Sequence, residues 1–326
     1  MKAFTYKSAT TEAEAVKALG AGALPLAGGT SLLNLMKERV VEPEVLVNIK
    51  SIRGLDQVEA VGEGWRIGAN AILSTLLEHP TLRARLPAFT QALETVGTPQ
   101  IRNMATLGGN LCARPPCWYF SHDLFACSKR GNASHCPAKD GENEYASIFA
   151  TGEPCVAVHA SSVAPALVAL GATVRIAGPL GAREIPLEKF FALPKENVLR
   201  ENVLAPNEIV THVVLAKGNP RSATYVVNPK ESHDWPVSIA SVALEMSGDS
   251  VTAARIVLGA VAPIPWRAAK AEASIAGRKV TSDTAQKAAE AAVDGATPLS
   301  QNAYKLQTAK AAVKRALLLA ATGQWR

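Results

Sequence analysis

The sequence predicts a mixed α and β protein of two or three folded units. Three observations lead there. A chain of 326 residues exceeds the roughly 100–200 residues of an ordinary domain. Short apolar runs of strand length alternate with segments of helical period along the first 216 residues. Beyond them, three strand-like runs are followed by an Ala-rich helical tail, the order of an α+β unit. A hydrophobic share of 48% against 19% charged residues lets such units bury real cores and excludes a disordered chain.

The elements follow in order. Ala13, Val16, Ala18 and Leu19 recur at helical spacing behind Thr11, and Gly20 and Gly22 close that helix. Ala23 to Ala27 reads as a strand, Gly28-Gly29-Thr30-Ser31 as a turn, and Leu32 to Lys37 as a helical start. Val45 to Ile49 and Trp65 to Ile67 read as strands, and Ser74 to Leu86 and Ala88 to Val96 as helices broken at Pro80 and Pro87. Gln100 to Asn110 is too polar for a buried element and reads as a ligand loop. After a cysteine-bearing stretch, Ser161-Ser162 caps a helix over Val163 to Leu170, and Ala172 to Ile176 and Pro206 to Val214 are strands. Lys217-Gly218-Asn219-Pro220 is the linker. Ala223 to Val227, Ile239 to Met246 and Ala253 to Ala260 form the strands of the second unit, and Gly277 and residues 295–300 interrupt its helical tail. There is no internal repeat.

Several classes of function fall away. No apolar run reaches the roughly 18 residues of a bilayer span, since Val156 to Val174 is broken by His159, Ser161 and Ser162. The first twenty residues lack the apolar core of a secretory signal. The net charge of +6 is scattered rather than clustered, so no nucleic-acid partner is expected.

What remains is chemistry at glycines and cysteines. In Ala27-Gly28-Gly29-Thr30-Ser31-Leu32, glycine permits backbone angles that let successive N–H groups converge on one point, which suits a diphosphate. A β-branched residue at Gly28 or Gly29 is expected to fill the space the diphosphate needs. Neither a six-residue Rossmann fingerprint nor a lysine-bearing P-loop is present. A second pair, Gly108-Gly109, stands about eighty residues later, flanked by Gln100, Arg102, Asn103, Thr106 and Asn110. Two such loops converging on a single dinucleotide are less probable by chance than either alone. All five cysteines fall within residues 112–155, and Cys117, Cys127, Cys136 and Cys155 are separated by nine, eight and eighteen residues. Those gaps match no zinc knuckle well, while iron–sulfur clusters accept widely spaced thiolates; zinc and iron–sulfur both stay open on spacing alone.

The segments AGGTSLLNLMK (27–37), QIRNMATLGGNL (100–111), CWYF with the later cysteines, LGAVAPIPWRA (258–268) and PLSQNAYKLQTAK (298–310) together resemble the FAD-binding medium subunit of the xanthine oxidase family of molybdenum hydroxylases. The cysteine stretch is similar to that of the subset carrying an extra [4Fe–4S] cluster. The resemblance implies a two-part vanillyl-alcohol-oxidase-type FAD-binding domain over residues 1–217, with the cysteine-rich insertion at about 112–158. It also implies a small C-terminal α+β domain, a three-stranded sheet plus helices, over 218–326.

Ala27, Gly28, Gly29, Thr30, Ser31 and Leu32 would hold the FAD diphosphate, and Thr106, Gly108, Gly109 and Asn110 the ribityl and flavin side, with Gln100 and Asn103 as flanking contacts. Asp123 matches an acidic residue near the flavin chain, Ile148 and Phe149 an apolar pair near the isoalloxazine ring, and Lys230 a lysine near the flavin. Cys117, Cys127, Cys136 and Cys155 would bind the cluster, leaving Cys112 a spare buried thiol. The implied function is electron transfer from a partner's [2Fe–2S] centres through FAD to an external acceptor, with no catalytic acid or base. The expected partners are a molybdopterin-binding large subunit and a [2Fe–2S] small subunit, in the cytoplasm, or in the periplasm if a signal-bearing partner carries the complex. The alternatives are a self-sufficient flavin reductase and a zinc-stapled scaffold without redox chemistry.

Overall fold

The computed structural model describes residues 1–216, 221–230 and 233–323, so the expected linker at 217–220 lies outside the described residues. Elements run in the order β1 Thr5–Ser8, α1 Glu12–Ala18, β2 Ala23–Leu26, α2 Leu32–Lys37, β3 Val45–Asn48, β4 Val58–Val61, β5 Gly64–Gly68, α3 Leu73–Glu78, α4 Pro80–Arg85, α5 Pro87–Glu94, α6 Pro99–Arg102, α7 Leu107–Leu111 and α8 Trp118–Ser121. Then come α9 Val163–Ala169, β6 Thr173–Gly178, β7 Gly181–Pro186, β8 Ile209–Leu215, β9 Arg221–Val227, β10 Ser238–Ser247, β11 Ser250–Gly259, β12 Trp266–Arg267, α10 Ala269–Ile275, α11 Ser282–Ala292 and α12 Lys305–Thr322.

Three sheets organise them. The first is parallel, in the order β1-β3-β2, with α1 and its buried Ala15 packed into its small core. Thr11 caps α1 by accepting a hydrogen bond from the Glu14 N–H at 3.2 Å. The second is antiparallel, β4-β5-β8-β6-β7, and its apolar face carries α3, α4, α5 and α9 around Ile67, Phe89, Leu167, Val174 and Val213. Pro80 and Pro87 each open a helix rather than merely ending one, since a proline loses nothing at a position whose N–H has no partner within the helix. Thus the two helices expected between Ser74 and Val96 are three.

The third sheet, β12-β11-β10-β9, adds the short strand β12 to the three expected. Seven successive residues of β10, Ser238 to Leu244, are buried, because α12 covers one face and α5 and α9 the other. On that sheet Ala285, Ala288, Ala289 and Ala292 of α11 meet Ala309, Ala312, Val313 and Ala316 of α12. Small side chains at i, i+3, i+4 and i+7 give each helix a narrow apolar stripe.

The cysteine insertion is held from outside itself. Lys305, 1% exposed, donates its three N–H bonds to the carbonyls of Tyr145, Ala146 and Ala260 at 2.9, 3.0 and 2.9 Å. Asn302 donates to the carbonyls of Ala146 and Ser147, and Gln301 and Asn143 exchange two backbone-to-side-chain bonds. The segment 298–305 therefore clasps residues 143–147, supplying the order that the polar insertion cannot supply by burial.

Candidate functional site

The first Gly-Gly turn begins where β2 ends. The Leu26 carbonyl accepts from the Ile49 N–H at 3.0 Å, and the chain then turns through Gly29 at φ +76° into α2. Among the described residues, no hydrogen bond uses the N–H groups of Gly28, Gly29, Thr30, Ser31 or Leu32 as donors. Five neighbouring backbone donors are thus open to an anion.

The second turn is built differently. Thr106 caps α7 through its Oγ1, which accepts from the Gly109 N–H at 3.2 Å, while the Leu107 and Gly108 N–H groups bond the carbonyls of Ala71 and Ala69. Gln100 to Asn110 is therefore two short helical turns, α6 and α7, and not the irregular loop its polarity suggested; Thr98 and Thr106 supply the caps. Asn110 Oδ1 accepts from Ser161 Oγ at 2.5 Å, and Ser161 Oγ accepts from the Ala164 N–H at 2.9 Å. Ser161, rather than Ser162, supplies the side-chain cap of α9.

The two turns touch. A Cβ on Gly28 would stand 2.1 Å from the Met104 carbonyl oxygen and 3.1 Å from Ala105 Cα, and one on Gly108 would stand 2.8 Å from Ala69 Cβ. The approach of the second turn thus requires Gly28 by itself, a reason for its substitution sensitivity that the sequence did not offer. Gly29 is required by its left-handed φ.

Between the turns lies a cleft of about 700 Å³. Ala27, Gly28, Gly29, Thr30, Ser31, Leu32, Thr106, Gly108, Gly109 and Asn110 all line it. The other sequence-selected residues are not brought there. Gln100 in α6 and Asn103 at its end are exposed, Asp123 is exposed and faces His122 at 3.7 Å, and Lys230 is exposed and paired with Asp234 at 3.5 Å. Ile148 and Phe149 are buried in the C-terminal core, with Phe149 stacked on Trp266 at 4.8 Å. Sequence reasoning missed Asn70, Arg114 and Trp235, which also line the cleft. Asn70 left a trace, a polar residue in the turn after an apolar strand; the other two left none.

The cysteines form a neighbouring group. Helix α8 sends Phe120 toward Cys127 and Leu35, and Tyr119 toward Cys136, Ala138 and Val156. Burial pushes the Cys117 thiol up to about 11, and nearby Cys136 and Cys127 push the same way. Cys136 and Cys155 share a hydrogen bond, so Cys136 is acidified while Cys155 is held well above the usual thiol range. Cys112 stands apart: it lines the cleft, and burial together with the Glu201 charge pushes it up to about 12. Among the described residues, no three His, Cys, Asp or Glu side chains converge closely enough to hold a single metal ion. No described helix is long and apolar enough to cross a membrane.

Comparison with known proteins agrees with this architecture. Residues 2–217 match the FAD binding domain in molybdopterin dehydrogenase, and residues 223–320 match the CO dehydrogenase flavoprotein C-terminal domain. The chain is 33% identical over 317 residues to the aldehyde oxidoreductase FAD-binding subunit PaoB of Escherichia coli, covering 95% of this chain and 96% of that one. It is 30% identical over 323 residues to the carbon monoxide dehydrogenase medium chain of Hydrogenophaga pseudoflava, covering 96% of each. A solved structure of carbon monoxide dehydrogenase from the same organism superposes with a TM-score of 0.77 at 27% identity, covering 99% of this chain and 98% of that one. The two matched domains and the glycine-lined cleft make this chain a member of the FAD-binding medium subunits of the xanthine oxidase family of molybdenum hydroxylases, a family of oxidoreductases.

Proposed function

We propose that this FAD-binding subunit passes electrons from a partner's [2Fe–2S] centres through FAD to an external acceptor, and that it holds a [4Fe–4S] cluster on Cys117, Cys127, Cys136 and Cys155. The proposed units are an FAD domain over 1–217, carrying the insertion, and a C-terminal domain over 218–326. The open N–H groups of residues 28–32 carry the reading: backbone donors without an acceptor among the described residues, in a turn that lines the cleft, suit the acceptor oxygens of a diphosphate. FAD bound there would supply the redox chemistry. The chain's own residues bind and orient it, with Thr106 fixing the second turn and Asn110 tying that turn to α9.

The thiols support the cluster by their arrangement. Cysteines around a cubane bind separate irons and so need not meet at one point, and four of the five here are neighbours while Cys112 is not. A cavity of about 40 Å³ opens beside Cys117, Tyr119, Ala138 and Val156.

Co-expression with a molybdopterin-binding large subunit and a [2Fe–2S] small subunit is expected to give one stable complex. The isolated chain is expected to show little turnover with aldehydes or purines. Robust substrate oxidation by the chain alone would contradict the proposal and favour a self-sufficient flavoenzyme.

A further inference from the structure

Arg114 is the only lysine or arginine among the described residues that line the cleft. The two carboxylates in the same lining already have partners, Glu208 with Arg183 at 2.8 Å and Asp234 with Lys230 at 3.5 Å.

Arg114 is pinned on three sides. Its Nε donates to the Glu201 carboxylate at 2.9 Å, its Nη2 donates to the Leu199 carbonyl at 3.2 Å, and its guanidinium carbon stands 4.6 Å from the centre of the Phe120 ring. Among the described residues, nothing accepts a hydrogen bond from Nη1. The side chain is 30% exposed.

Glu201 would ordinarily cancel such a charge, but it has a second cation. Lys129, 5% exposed, places Nζ 3.1 Å from the same carboxylate and donates to the carbonyls of Val198 and Arg200 at 3.1 and 3.2 Å. Lys129, Glu201 and Arg114 therefore carry one net positive charge. Of the three, Arg114 stands in the cleft wall. A buried carboxylate between two cations is costly to assemble, and here the network fixes a planar donor in one orientation.

We infer that Arg114 is a further FAD-binding residue, meeting an anionic group of the cofactor through Nη1, and that Lys129 and Glu201 hold it there with its charge uncancelled. The inference rests on the cleft being the FAD site, as proposed above. Two groups of FAD offer this chemistry: the diphosphate, and the N1–C2=O edge of the isoalloxazine, which becomes negative on reduction.

The test uses the full chain stripped of flavin, as wild type, Arg114→Gln and Arg114→Lys, titrated with FAD and with ADP, and the midpoint potential of the bound flavin. If the diphosphate is the partner, Arg114→Gln weakens both FAD and ADP by about tenfold or more, with the potential unchanged and Arg114→Lys intermediate. If the reduced flavin is the partner, ADP is unaffected and the two-electron potential falls by about 30 mV for each tenfold loss of reduced-state affinity. Lys129→Met should act in the same direction as Arg114→Gln, because it leaves Glu201 to cancel Arg114. An Arg114→Gln protein that binds FAD and ADP within about twofold of wild type and keeps its potential would overturn the inference alone. Wild-type protein that binds neither ligand would overturn the cleft as the FAD site, and the role of Arg114 with it.

Discussion

A Gly28→Ala protein is expected to purify without FAD and with lowered thermal stability, whereas Gly29→Ala should keep most of its flavin. The added Cβ at Gly28 would fall 2.1 Å from a backbone carbonyl oxygen, that of Met104, and backbone cannot swing aside as a side chain can. The two turns must separate, which costs about 1–3 kcal/mol as overpacking and misaligns the donors of residues 28–32. At Gly29 the new Cβ meets Leu33 Cδ1 at 3.0 Å, a contact a leucine relieves by shifting. The main penalty there is the left-handed φ of +76°, roughly 1–2 kcal/mol for an alanine. Flavin released per chain on denaturation, read beside the melting temperature, separates the two. Equal FAD retention by both variants would contradict the loop contact as the reason for Gly28.

The second large effect is expected at the cysteines. In protein made and purified without oxygen, Cys155→Ser should lose about four irons per chain, as should serine at Cys117, Cys127 or Cys136, while Cys112→Ser should keep them. Cys155 is 3% exposed and hydrogen-bonded to Cys136, so its removal takes one of the proposed cluster ligands out of the buried cysteine group. Cys112 lines the cleft between the glycine turns, and the charge it feels is that of Glu201 rather than of another thiol. Iron analysis and the visible absorption of each variant decide the matter. Loss of iron from the Cys112 variant with retention in the Cys155 variant would reverse the assignment.

What could be read from sequence, and what could not, divides by the range of the interactions. Strands β2, β3, β5, β6, β8, β9, β10 and β11 are legible because each carries its own apolar run. Strands β4 and β7 were invisible: Val58–Val61 and Gly181–Pro186 are partly or wholly exposed, and they are strands because β5 and β6 offer them hydrogen-bonding edges. The two glycine turns are legible as a site because a Gly-Gly pair declares an unusual backbone locally. That Gly28 answers to Met104 is not, since the contact spans 76 residues.

The same limit governs side chains. Arg114 acquires its place in the cleft from Glu201 and Leu199, and Asn70 from the Ile49 carbonyl, to which its Nδ2 donates at 2.7 Å. Ile148 and Phe149 are apolar residues in an apolar environment, and their pattern alone could not say whether a flavin or Trp266 would lie against them; Phe149 meets Trp266.

The most direct test of the account is the cofactor content of the wild-type chain purified without oxygen. A single analysis of flavin, iron and zinc on one sample is expected to give about one FAD and about four irons per chain, with zinc absent. A chain carrying zinc in place of iron, or one that holds no FAD, would contradict the reading of the cleft and the cysteine group as two redox sites in one subunit.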